Sequence, residues 1–287
     1  MSLADPEQPV AYNLIKGRTR SPLILSVPHS GNVYPPDFLE ANSLSLLRAS
    51  SLEDWRVADL ISPGAQSVGL PLLAGRVGRA YLDLNRDPEV MDPSIFAEPL
   101  PPFVKTNAPI IASGYTVLPR VTADGIGIYR RPLTWKEAKR RLDHWYHPYH
   151  HKLRKLIEQT RRDFGYVLLL DFHSMPRPSG FDPDKRHVVL GDCHGRSAQK
   201  HFRQIVTDKL EDLGYCLGLN DPYAGGYTTQ CYGRPEQGVN VLQIEIDRSL
   251  YMRMANGALP TAIPGWVVLE KDLSDLLSYL YRYVAGL

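Results

Sequence analysis

Tyr166-Val167-Leu168-Leu169-Leu170-Asp171-Phe172-His173 is an apolar run of strand length that offers water no face. Side chains alternate across a strand, so such a run has to be covered on both sides, the condition met when a sheet lies between layers of helix. Leu23-Ile24-Leu25-Ser26-Val27 and Val239-Asn240-Val241-Leu242-Gln243-Ile244-Glu245-Ile246 repeat the pattern. Further strands are expected over 70–74, 80–84, 187–190 and 215–219. Between them lie helical periodicities. Leu142, Trp145, Tyr146, Tyr149, Leu153, Leu156 and Ile157 recur at three- and four-residue spacing behind a Thr134/Glu137 capping box, with Pro148 expected to kink or interrupt the helix. Phe202, Ile205, Val206 and Leu210 mark one over 197–213, and Leu269, Leu273, Leu276, Leu277 and Leu280 mark a C-terminal one. Ser50 and Glu53 form a second capping-box pattern, predicting a helix through Trp55, Val57, Ala58, Leu60 and Ile61 that stops at Pro63-Gly64. The expected fold is α/β, a three-layer α/β/α arrangement around a mostly parallel or mixed sheet. With no repeat or linker visible, residues 1–287 read as a single domain. Residues 86–128, rich in Pro, Gly and Asn, read as a binding loop or lid.

A net charge of +2 and a pI near 8.3 imply no broad field, so nucleic acid and anionic membranes are not expected partners. Lys139-Arg140-Arg141 and Arg161-Arg162 read as a solvated helix face. The cysteines Cys193, Cys216 and Cys231 have no metal-type spacing and suit a reducing compartment. No leader pattern is seen at the first residues and no apolar run approaches the roughly 20 residues of a membrane span. The expectation is a cytoplasmic protein.

In sheets of this kind, ligands bind where strands end and loops begin. His29 and His173 each follow a strong apolar strand. Either alone would pass as a hydrogen-bonded structural side chain; the pairing points to a metal. Catalytic zinc takes three protein ligands and leaves a position for water. Asp54 is the natural third ligand, with Glu53 as its competitor. Glu245 interrupts a strand otherwise suited to burial, which is costly unless the carboxylate is ion-paired, metal-bound or tuned for proton transfer; the reading favoured is a general base. Asp83-Leu84-Asn85-Arg86-Asp87 ends another expected strand, where Asn85 and the planar fork of Arg86 would grip a carboxylate. Arg130-Arg131 and Arg234 are further cations beside Pro or Gly. His144, His147, His150 and His151 crowd one helix; without a zincin-type Glu they read as a polar or surface-facing patch. Gly225-Gly226-Tyr227-Thr228-Thr229 lacks the Lys and spacing of a phosphate loop, and no Gly-x-Ser-x-Gly elbow is present.

Taken in order, Val27-Pro28-His29-Ser30-Gly31, Asp54-Trp55, Asp83-Leu84-Asn85-Arg86, Pro148-Tyr149-His150, Asp171-Phe172-His173-Ser174, Gly225-Gly226-Tyr227-Thr228, Tyr232-Gly233-Arg234-Pro235 and Leu242-Gln243-Ile244-Glu245 resemble the N-formylglutamate amidohydrolase family. The resemblance implies a phosphorylase/hydrolase-like fold related to zinc carboxypeptidases and aspartoacylase-like deacylases. It implies Zn2+, or another divalent transition metal, on His29, Asp54 and His173, with Glu245 as the catalytic carboxylate. Arg86 is expected in both a catalytic and a binding role, and Asn85, Arg131, Gly226, Tyr227, Thr228 and Arg234 as substrate contacts. The substrate implied is a small N-acyl amino acid such as N-formyl-L-glutamate. The alternatives are a deacylase or carboxypeptidase-like hydrolase with another substrate, or a non-catalytic ligand-binding relative.

Overall fold

The unbroken apolar runs become interior strands. A computed structural model describes residues 10–42, 44–254 and 258–286. Its strands are β1 (Tyr12–Ile15), β2 (Leu23–Val27), β3 (Leu72–Gly75), β4 (Val167–Met175), β5 (Arg186–Gly191), β6 (Tyr215–Leu219) and β7 (Val239–Asp247). They join in one sheet in the order β1-β3-β2-β4-β7-β5-β6. β2, β4 and β7 are parallel, β5 is antiparallel to β7, and β6 is parallel to β5, so the sheet is mixed. Every residue of β2, β4 and β7 is buried. Helices α1 (Pro36–Ala41), α2 (Leu46–Ala49), α3 (Val57–Val68), α4 (Trp135–Arg141), α5 (His147–Phe164), α6 (Lys200–Asp212), α7 (Tyr227–Tyr232) and α8 (Gly265–Ala285) complete an α/β fold with its sheet flanked by helices. None of the described helices is long and apolar enough to cross a membrane.

Internal contacts divide the chain into two compact units, one of residues 1–13, 28–53 and 74–152, the other of 14–27, 54–73 and 153–287. In the second, α3 packs on α8, and α6 on β6 and α8. α3 and α8 approach tightly at Gly64, where a Cβ would stand 2.8 Å from Ser274 Cα. The expected stop at Pro63-Gly64 does not occur. Both residues lie inside α3, which ends at Gly69 with φ of 79°. Packing on α8 outweighs the backbone hydrogen bond that Pro63 cannot make.

The Ser50 capping box is not formed. Ser50 opens a short 3₁₀ turn, Ser50–Leu52, and its hydroxyl donates to Leu47 O at 2.7 Å. Glu53 accepts instead from the Tyr34 hydroxyl at 2.6 Å. Asp54 therefore stands in a turn ahead of α3 rather than in its first helical turn.

In the first unit, residues 80–84 are not the expected strand but a buried turn, with Tyr81 and Leu82 N–H both donating to Gly78 O. Their apolarity reflects burial, which periodicity over five residues cannot tell from a strand. Residues 86–128 are irregular apart from 3₁₀ turns at Pro93–Ile95 and Pro109–Ser113. The Thr134/Glu137 capping box closes in both directions. Ahead of Pro148 the helix widens into a π turn over Leu142–Tyr146, the interruption its ring demands. Arg141 is no solvated cation. It is fully buried, donates to Tyr81 O and Tyr129 Oη, and stacks 4.1 Å above the Tyr81 ring.

Candidate active site

In the second unit the site grows from strand register. Asp171 of β4 lies opposite Gln243 of β7, and His173 opposite Glu245. The two-residue period puts Asp171 and His173 on one face of their strand, and Gln243 and Glu245 on one face of theirs. On the other side of β4, Ser26 of β2 donates to Asp171 Oδ1 at 2.7 Å. The second Asp171 oxygen meets His173 Nε2 at 3.0 Å, and His173 Nδ1 lies 3.0 Å from Asp54 Oδ2. Burial opposes a charged imidazole, but the Asp171 carboxylate, hydrogen bonds to Asp171 and Asp54, and the charge of Glu245 hold His173 well above the ordinary histidine value.

Asp54 is fixed by what surrounds its turn. Trp55 stacks on Tyr251 and packs edge-on to Trp266, with ring centroids 6.5 and 5.9 Å away. Arg56, in the left-handed region at φ of 53°, lays its guanidinium 4.7 Å from the Trp266 centroid. The two carboxylate oxygens are divided. Oδ2 faces His173, while Oδ1 accepts from Arg248 Nη2 at 3.1 Å and from Ser174 Oγ at 3.4 Å. Arg248, directly after β7, also donates to Ser174 Oγ at 3.2 Å.

In the first unit His29 follows the end of β2 in Pro28-His29-Ser30-Gly31. Gly31 is required there, because a Cβ would meet the Arg76 carbonyl carbon at 2.3 Å. His29 Nε2 lies 2.7 Å from Asp83 Oδ1, which also accepts from Asn85 N at 2.8 Å. Asp83 Oδ2 accepts from Arg79 Nε at 2.8 Å and lies 3.9 Å from Arg86 Nε. Burial would raise the Asp83 carboxyl, yet the charges of Arg79, His29 and Arg86 hold it well below the usual carboxylate range. An ionised acceptor at Nε2 keeps that nitrogen protonated and turns the lone pair of a neutral imidazole onto Nδ1. His173, with Nε2 on Asp171, follows the same plan. A carboxylate behind the far ring nitrogen is the usual support of a metal-ligating histidine.

His29, Asp54 and His173 are buried, and each offers a ligand atom, the three atoms lying within 4.8 Å of one another; this is the one such His/Cys/Asp/Glu grouping among the described residues. Two imidazole nitrogens, one carboxylate oxygen and supporting carboxylates suit a zinc-type divalent ion with an open position. Glu53, the rival ligand, is bound to Tyr34.

The expected substrate contacts fall in different places. Asn85 is buried beside Asp83, and Arg86 donates through Nε to Tyr115 O at 2.8 Å and through Nη1 to Asn85 O at 3.0 Å. Gly226 precedes α7, Tyr227 opens it and Thr228 is fully buried. Arg131 is exposed and grips Glu137 in a two-pronged ion pair, and exposed Arg234 donates to the carbonyls of Gln230 and Gly233. The histidine patch divides: His144, His147 and His151 are exposed, whereas His150 is buried with Nε2 on Leu84 O at 2.8 Å. Sequence reasoning passes over the roles of Asp83, Asp171, Gln243 and Arg248. Asp171 and Gln243 leave a local signal, each two residues ahead of a candidate site residue, His173 and Glu245, on the same strand face.

A family model described as N-formylglutamate amidohydrolase matches residues 21–252. N-formylglutamate deformylase from Pseudomonas putida is 28% identical over 273 residues, which span 91% of this chain and 94% of that protein. The protein of the same name from Pseudomonas aeruginosa is 29% identical over 245 residues, spanning 82% and 84%. Among solved structures, N-formylglutamate amidohydrolase from Ralstonia eutropha JMP134 superposes with a TM-score of 0.88 at 31% identity, over 96% of this chain and 99% of that one. A gene product of Agrobacterium tumefaciens, at 18% identity and TM-score 0.65 over 99% and 97%, shares the fold.

Proposed function

Because the chain belongs to the N-formylglutamate amidohydrolase family, we propose that it hydrolyses the formyl amide of N-formyl-L-glutamate, giving formate and L-glutamate, and that His29, Asp54 and His173 hold a zinc-type ion for the purpose. The observation that supports the metal reading is the buried His-Asp-His group, with Asp83 and Asp171 behind its two imidazoles. The ion would supply Lewis acidity, polarising the formyl oxygen and easing deprotonation of water near neutral pH.

The rest is protein chemistry. Glu245 accepts the proton of the attacking water and passes it to the departing amine nitrogen. Arg86 stabilises the negative charge that develops on the formyl oxygen and, with Asn85, holds a substrate carboxylate. Arg131, Gly226, Tyr227, Thr228 and Arg234 complete the binding set. Asp83 and Asp171 orient the two histidines, and Arg248 holds Asp54 by the oxygen that does not face His173. The whole chain acts as one catalytic domain, on a small molecule, in the cytoplasm.

The test couples metal analysis to formate release over a panel of N-formyl and N-acetyl amino acids. The purified protein should contain about one divalent ion per chain and favour N-formyl-L-glutamate. Glu245→Gln should lose turnover by roughly 10²- to 10⁴-fold with metal content intact, and Asp54→Ala should lose the metal. Full activity in metal-stripped protein, or in Glu245→Gln, would overturn the assignment.

A further inference from the structure

Gln243 stands two residues before Glu245 on β7 and is buried with it. Its Oε1 accepts from the Gly226 backbone N–H at 2.7 Å, and its Nε2 donates to Glu245 Oε1 at 2.9 Å. The amide can be oriented in only one way. A backbone N–H can only donate, so the atom facing Gly226 must be the carbonyl oxygen, which turns the amino group onto the carboxylate.

The Gly226 end of this chain of bonds is fixed in turn. Gly225 has φ of 129°, and a Cβ there would meet Thr229 Oγ1 at 2.4 Å and Cys193 Sγ at 3.0 Å. Thr229 Oγ1 donates to Gly226 O at 2.7 Å, and Cys193 N donates to Ala224 O at 2.7 Å. The turn that opens α7 is thereby pinned on both sides, and through Gln243 so is one oxygen of Glu245.

We propose that Gln243 is a positioning residue, fixing the Glu245 carboxylate and tying its placement to the Gly225-Gly226 turn. The inference rests on Glu245 being the proton acceptor of the proposed reaction. It makes the turn, with Tyr227 and Thr228 behind it, and the acid a single positioned unit.

Gln243→Met keeps the length and the burial but removes both hydrogen bonds. The expected result is a kcat loss of about tenfold to 100-fold, the range for a misplaced reacting group, with KM within about twofold and metal content unchanged. The Gly226 amide proton should also move upfield in the NMR spectrum as its bond to Gln243 is lost. A kcat within twofold of the parent despite that shift, or a loss confined to KM, would overturn the proposal. Should the methionine variant not fold, Gln243→Glu keeps an acceptor for Gly226 while setting a second carboxyl against Glu245, and an undiminished kcat in that variant would overturn it equally. Glu245→Gln, run alongside, separates the two ideas. If that variant still turns over, Glu245 is not the acceptor, whatever Gln243 does.

Discussion

His173 lies between the carboxylates of Asp171 and Asp54, and in the metal-free protein these outweigh burial and favour its protonated form. An ion held by this imidazole would have to displace a proton from it. Zinc binding to metal-free protein at pH 7 should therefore release about one proton, read from the dependence of the calorimetric enthalpy on the ionisation enthalpy of the buffer. No dependence would mean that the imidazole is already neutral. The sign for stability follows from the raised value. Protonated His173 stabilises the metal-free fold fully below the unfolded value of 6.5, and the contribution is lost as pH rises through the folded one. At this scale the two histidines of the buried group are legible because each follows or ends an apolar strand. Asp83 and Arg248 are not, because their partners lie far off in sequence: Asp83 is 54 residues from His29 and Arg248 is 194 from Asp54. No window of local pattern spans such distances.

Among the elements, α3 shows how packing overrides local signals. Pro63-Gly64 reads as a stop, yet the glycine serves the approach of α8, with Ser274 Cα 2.8 Å from where its Cβ would stand. Gly64→Val should destabilise the fold by about 1–3 kcal/mol through overpacking, measured by urea unfolding, whereas Ser67→Ala on the same helix should change little. An unchanged midpoint for Gly64→Val would show that the helices can separate at no cost. β4, β7 and α8 are readable from sequence because each is long and uniform in its period, and β6 because turn signals bound it. The turn at 80–84 misleads because five buried apolar residues read alike as turn or strand, and the segment at 50–54 because Tyr34 claims Glu53 and the Ser50 hydroxyl turns back to Leu47 O, which leaves no local capping box.

For the molecule as a whole, the α/β class and the mixed sheet are legible from strands too apolar to face water. The division into two units is not, since each is assembled from three separated stretches of chain and no composition shift marks the joins. An ion that binds only the folded chain stabilises it by mass action. Free zinc at 100 times its dissociation constant should add about 2.7 kcal/mol and raise Tm by several degrees in differential scanning fluorimetry, while Asp54→Ala should show little rise; equal rises would mean that the ion sits elsewhere. The opposed pairs Asp171–Gln243 and His173–Glu245 have a wider consequence. A single insertion in β7 would turn Gln243 and Glu245 to the opposite face of the sheet, so neither pair survives a shift of register by one residue.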